Sequence, residues 1–155
     1  MKGVAILFDS KFHRRGLVRF HQTSKNLVVD VEVDPLAKLN PGLHGFHIHE
    51  SGDLTEGCKS LCAHYNPDKA HHGGLGSKKR HRGDLGNIKA RSDGSVSQTI
   101  TTTRLKLEEI IGRSVIVHKD KDDLGRGGDS ESLKTGNSGE RALCGVIGLA
   151  SLCKV

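Results

Sequence analysis

The sequence predicts an all-β domain, an antiparallel sandwich or barrel, and two observations carry that reading. The first is a series of about eight short runs in which apolar residues alternate with others, the period-2 pattern of strands with one buried face. The second is composition. Twenty glycines among 155 residues, with four Phe, one Tyr and no Trp, suit many tight turns around a Val, Ile and Leu core better than a helical bundle. A chain of this length can bury a core of its own, and residues 1–155 are read as a single domain.

Taken in order, residues 2–8 read as the first strand and 17–21 as the second. Residues 27–34 alternate most cleanly and stop at Pro35. The turn Asn40-Pro41-Gly42 leads into a strand over 42–50. Residues 83–90 and 95–100 bracket Ser92-Asp93-Gly94, which reads as a hairpin. Residues 105–111 mix helix formers with a strand-like alternation. Residues 113–118 form a strand ending in His118, and 143–151 form a last apolar strand. Two connections, 51–82 and 119–141, are too long for plain turns. Such loops in compact domains are usually functional, and these hold glycine beside residues able to bind metal or cross-link.

The formal charge of +6 favours an anionic partner. The basic runs Lys78-Lys79-Arg80-His81-Arg82 and Arg14-Arg15 hold no stacking aromatics, so they read as solvated surface and argue against nucleic acid. No apolar run reaches membrane-spanning length. The run Val4-Ala5-Ile6-Leu7-Phe8 is too short for a signal peptide core, so the expected location is cytoplasmic. Cys58, Cys62, Cys144 and Cys153 would ordinarily be free thiols there.

The histidines carry the chemistry. Phe46 and Ile48 alternate with His47 and His49, so both imidazoles project from one strand face, roughly 6–7 Å apart, and can converge on one metal ion. His64, His71, His72, His81 and Asp84 lie in or just after the first long loop, and His118 ends a later strand. Mixed His and Asp donors without thiolate suit Zn2+, and an all-imidazole set suits Cu2+ as well.

At this point the chain resembles the copper–zinc superoxide dismutases. The matching pieces are GLHGFHIHE (42–50), HYNP (64–67), HHGG (71–74), RHRGDLGN (80–87), IIGRSVIVH (110–118), DDLGRGG (122–128) and KTGNSGERALCGVIG (134–148). The resemblance implies an eight-stranded Greek-key β-barrel with two long functional loops, and an enzyme that converts two superoxide anions to oxygen and hydrogen peroxide. It implies copper on His47, His49, His64 and His118, and zinc on His64, His72, His81 and Asp84, with His64 shared. His64 and Arg141 are the implied catalytic residues, one passing a proton to the peroxide and the other docking the anion. Asp122 is implied to link His47 with His72, and Glu131, Lys134 and Thr135 to line the substrate channel. His44 is given a structural hydrogen-bonding role. His13, His21 and His71 are read as surface histidines, and Asp123 as an ordinary loop charge.

The resemblance also implies a Cys58–Cys144 disulfide. Closing that loop would stabilise the fold by about 4–5 kcal/mol on the chain-entropy account. Cys62 and Cys153 then remain free thiols. A homodimer through Ile147, Leu149 and their neighbours is expected. A copper chaperone is the implied partner for maturation, although Arg141-Ala142-Leu143-Cys144 lacks the proline that goes with strict dependence on it. The alternative reading is the dismutase-like domain of such a chaperone. The complete copper set, and the expectation that no separate thiol-pair domain precedes the first strand, favour the enzyme. Ser130, and Lys119-Asp120-Lys121 after His118, depart from the familiar channel pattern.

Overall fold

The computed structural model describes residues 1–153; the last two positions of the expected domain, 154 and 155, lie outside the described residues. Alternation sorts each strand into two faces. β1 (Lys2–Phe8) buries Ala5 and Leu7 while Val4, Ile6 and Phe8 face outward, and β2 (Arg14–Gln22) buries Val18 and Phe20. β3 (Leu27–Val33) buries Leu27, Val29, Val31 and Val33. β4 (Gly42–His49) is buried on both faces from His44 onward: Phe46 and Ile48 enter the main core, and the long loops cover His47 and His49. β5 (Asp84–Ala90), β6 (Val96–Thr102), β7 (Ser114–His118), β8 (Arg141–Val146) and a short β9 (Gly148–Leu149) follow.

The strands run in the order β5-β4-β7-β8-β1-β2-β3-β6, every pairing antiparallel, with β9 on β1. The β3–β6 and β4–β7 pairings skip sequence neighbours, the Greek-key feature. The result is a nearly closed eight-stranded antiparallel barrel. Its seam lies between β5 and β6, which do not form a ladder. Side chains bridge them instead: Lys89 N donates to Gln98 Oε1 (2.9 Å) and Gln98 Nε2 to the Asn87 carbonyl (3.2 Å).

That seam corrects the expected hairpin. Gly94 N does bond the Arg91 carbonyl and Arg91 N the Ser95 carbonyl, so the turn is made. The strands then part, because sheet twist accumulated over eight strands brings the two ends together at an angle. Residues 105–111 resolve as a short helix, α1 (Leu107–Ile110), whose Leu107 and Ile110 join the core. The expected last strand breaks at Ile147, which exchanges backbone hydrogen bonds with Gly112 and Arg113. Its side chain is only 1% exposed and belongs to the core, so it cannot serve as docking surface; Leu149, 64% exposed, can. A smaller apolar cluster of Leu61, Ile116 and Cys144, with Leu54 and Cys58 against it, seats the first long loop on β7 and β8.

Candidate metal centre

The barrel's outer face brings one histidine set together. His47 and His49 stand on β4, whose ladder with β7 places His118 nearby. His64 is drawn in by an antiparallel bridge to His49 and by Tyr65 N donating to the Ile48 carbonyl (2.8 Å). One donor nitrogen from each of His47, His49, His64 and His118 falls within 4.8 Å of the others. Three of these rings are held from behind. His47 Nε2 donates to Asp122 Oδ2 (2.7 Å), His49 Nδ1 to the Cys62 carbonyl (2.8 Å) and His118 Nδ1 to the Gly139 carbonyl (3.0 Å).

A neutral ring that donates from one nitrogen presents a lone pair on the other. Those other nitrogens, His47 Nδ1, His49 Nε2 and His118 Nε2, are buried and have no hydrogen-bond partner among the described residues. Each would cost about 1–3 kcal/mol if left unsatisfied. Burial drives His47 and His49 well below the usual histidine range and His118 down to about 4, so the rings stay neutral. Converging imidazole lone pairs fit a copper ion.

The second set surrounds Asp84. His64 Nδ1 lies 2.9 Å from Asp84 Oδ1 and 3.2 Å from His81 Nδ1, which is itself 3.2 Å from Asp84 Oδ1. His72 Nδ1 lies 3.0 Å from Asp84 Oδ2 but is not aligned to bond it. Tetrahedral bonds of about 2.0 Å set donors about 3.3 Å apart, so this spacing fits one zinc ion among them. His47 also comes within 4.8 Å of His64, His72 and Asp84, a measure of how closely the two sets abut. Burial alone would raise the Asp84 pKa, but hydrogen bonds from His64 and His81, with the His72 ring close by, hold it well below the carboxylate range. Burial also works against His72 protonation, yet Asp122 and Asp84 lift its pKa to about 9 without metal.

Asp122 joins the sets, since its Oδ1 accepts from His72 Nε2 at 2.7 Å while Oδ2 accepts from His47. Two residues that sequence reasoning passed over hold it there. Asn87 bonds both the Asp122 N–H (2.8 Å) and its carbonyl (2.9 Å). Gly136 has φ +70°, and a Cβ there would collide with the Asp122 carboxylate and His72 Nε2. Both stood inside recognised motifs, RHRGDLGN and KTGNSGE, but nothing local marks them as supports.

A cleft of about 820 Å³ opens onto His49, His64 and His118, and Glu131, Lys134, Thr135 and Arg141 line it. Arg141 is fixed by Nη1 on the Cys58 carbonyl and Nη2 on the Cys62 carbonyl, both 2.6 Å. Cys58 is disulfide-bonded to Cys144, while Cys62 and Cys153 are free and exposed. His44 Nδ1 lies 2.8 Å from the His118 carbonyl and Nε2 2.7 Å from the Asn40 carbonyl, so the ring bridges two segments. His71 is exposed, as are His13 and His21, but it also lines the cleft. Asp123 is more than a loop charge. It accepts from Ser132 Oγ, Asn137 Nδ2 and Gly125 N, stitching the second long loop to itself.

A family model described as copper/zinc superoxide dismutase (SODC) matches residues 14–147. The chain is 50% identical over 139 residues to "Superoxide dismutase [Cu-Zn]" of Paramecium bursaria Chlorella virus 1, covering 88% of this chain and 73% of the relative. It is 51% identical over 138 residues to "Extracellular superoxide dismutase [Cu-Zn]" of Drosophila melanogaster, covering 87% and 76%. It is also 48% identical over 134 residues to "Copper chaperone for superoxide dismutase" of Homo sapiens, covering 86% of this chain but 48% of that protein. With a barrel of this topology, two abutting donor sets and a match over most of its length, the chain belongs to the copper/zinc superoxide dismutase family.

Proposed function

We propose that His47, His49, His64 and His118 hold copper, that His64, His72, His81 and Asp84 hold zinc, and that the pair dismutes superoxide to oxygen and hydrogen peroxide. The observation that carries this is the trio of buried, unpartnered ring nitrogens beside a second donor set at tetrahedral spacing. Copper, when bound, supplies a one-electron redox couple; zinc has none. His64 contributes Nδ1 to the Asp84 set, which leaves Nε2 for the copper side and the cleft. That nitrogen is the one positioned to take up a proton and pass it to the peroxide being formed. Arg141 supplies a fixed cation where the anion enters, while Glu131 lies near enough to Lys134 (3.9 Å) to offset part of its charge.

The residues act as one domain in this reading. The outward apolar residues Val4, Ile6 and Phe8 of β1, with Leu17 and Leu149 nearby in the sheet, support a homodimer through this face. Two exposed free thiols favour a reducing compartment, and the cytoplasm is the proposed location; among the described residues no helix is long and apolar enough to cross a membrane. Metal content and dismutase activity, measured on one sample before and after loading with copper and zinc, test the assignment. One copper and one zinc per chain, with activity tracking copper, is expected. Zinc uptake without activity under excess copper would instead make the chain the dismutase-like domain of a copper chaperone.

A further inference from the structure

Arg80 is among the largest fully buried side chains of the described residues, 1% exposed, and no carboxylate pairs with it among them. Burying an unpaired charge is costly, so a fold that keeps one gets something from its geometry. The guanidinium gathers a single turn. Nη1 donates to the carbonyl of Asp84 at 2.7 Å, and at 3.3 and 3.4 Å to those of His81 and Arg82. Nη2 donates to Thr102 Oγ1 on β6 at 3.0 Å. The turn so gathered carries His81 and Asp84, two of the four residues assigned to zinc, and Asp84 Oδ2 closes it by accepting from His81 N. Apart from the metal-facing histidine nitrogens, Arg80 Nε is the one buried side-chain nitrogen or oxygen without a partner among the described residues.

We propose that Arg80 is a positioning residue for the zinc site: its planar fork, anchored on Thr102, fixes the 81–84 turn so that the His81 imidazole and Asp84 carboxylate arrive preset at zinc-binding spacing. The proposal rests on the zinc assignment made above. An ammonium is a compact point donor and cannot span three carbonyls and a hydroxyl on two elements as a guanidinium does. Supports behind metal ligands typically govern affinity by 10–100-fold.

The test uses the full chain with Arg80→Lys and with Thr102→Val, which removes the anchor but keeps the charge. Zinc and copper affinities are measured by chelator competition, the visible spectrum of Co2+ in the zinc site is recorded, and the metal-free proteins are melted. Arg80→Lys is expected to lower zinc affinity about 10–100-fold and to alter the Co2+ bands, with copper affinity close to the parent's. Thr102→Val should lower zinc affinity in the same direction by a smaller factor, and it decides the matter if Arg80→Lys does not fold. Lower melting points in both variants with unchanged zinc affinity and Co2+ bands would overturn the proposal and leave Arg80 a filler of the core. A parent chain that binds copper but takes no zinc or Co2+ would remove the zinc assignment itself, and this proposal with it.

Discussion

Cys62 occupies backbone that only glycine holds freely, at φ 63° and ψ −153°. Its carbonyl receives both His49 Nδ1 and Arg141 Nη2, so the strain holds in place an acceptor that orients the His49 ring and the cleft's cation. Cys62→Gly keeps the carbonyl and removes the strain, about 1–3 kcal/mol, against roughly 0.5–1 kcal/mol of added unfolded-chain entropy. The variant should gain on the order of 1 kcal/mol in unfolding free energy, read as a raised denaturant midpoint, with dismutase activity intact; a loss of stability would mean that the thiol's 3.8 Å contact with the Ser60 carbonyl outweighs the strain. The histidines also set a pH profile for the metal-free protein. His118 is held down to about 4 by burial, so as pH falls below about 6.5 the unfolded chain protonates first and stability is lost, by about 3 kcal/mol at pH 4 for this ring. His72, raised to about 9, stabilises fully below about 6.5 and loses that contribution as pH rises through 9. Thermal melts of metal-free protein should therefore peak near pH 6.5 and decline on both sides, and a flat acid limb would contradict the burial of a neutral His118.

At the scale of elements, β4 and β7 present His47, His49 and His118 rigidly, whereas His64, His72 and His81 depend on loops that other contacts tie down. The disulfide joins the first loop to β8. Asp123 does the equivalent work in the second, where Gly127 N also bonds the Ser132 hydroxyl that Asp123 holds. Replacing Asp123 with Ala removes the acceptor of three donors. It should destabilise by about 1–3 kcal/mol and raise amide exchange across residues 119–140 selectively. Uniform exchange over the barrel would instead point to a global rather than a loop effect.

For the whole molecule, the unusual surface is the outer face of β1, where Val4, Ile6 and Phe8 stand in positions that β3 gives to Val28, Asp30 and Glu32. Leu149 on β9 pairs beside it, across from Gly3. A dimer needs about 1,000 Å² or more of buried surface, and a charge in the middle of that area would oppose it. Leu149→Glu is expected to convert a dimer to monomer at micromolar concentration in sedimentation velocity, with the β-sheet circular dichroism unchanged. An unaltered mass would place the contact on another face.

Much of this was legible in the chain. Period-2 alternation is a local property of extended backbone, so most strands could be read directly, and His47 and His49 were bound to share a face. The motifs named the histidines and Asp84 that the fold gathers, because metal chemistry admits few residue types. What depended on long-range packing could not be read. The seam at β5 and β6 follows from twist summed around the barrel, and the burial of Ile147 from a break in the last strand. The roles of Asn87, Gly136 and Asp123 arise from contacts between segments far apart in sequence. Arg80 is the sharpest case: within Lys78-Lys79-Arg80-His81-Arg82 it reads as one more solvated charge. Sequence by itself determined the strand faces and the residue types gathered at the site, because both follow from backbone geometry and side-chain chemistry. Only the tertiary structure decided which ring nitrogens stay bare and which cation turns inward, because burial belongs to the assembled fold.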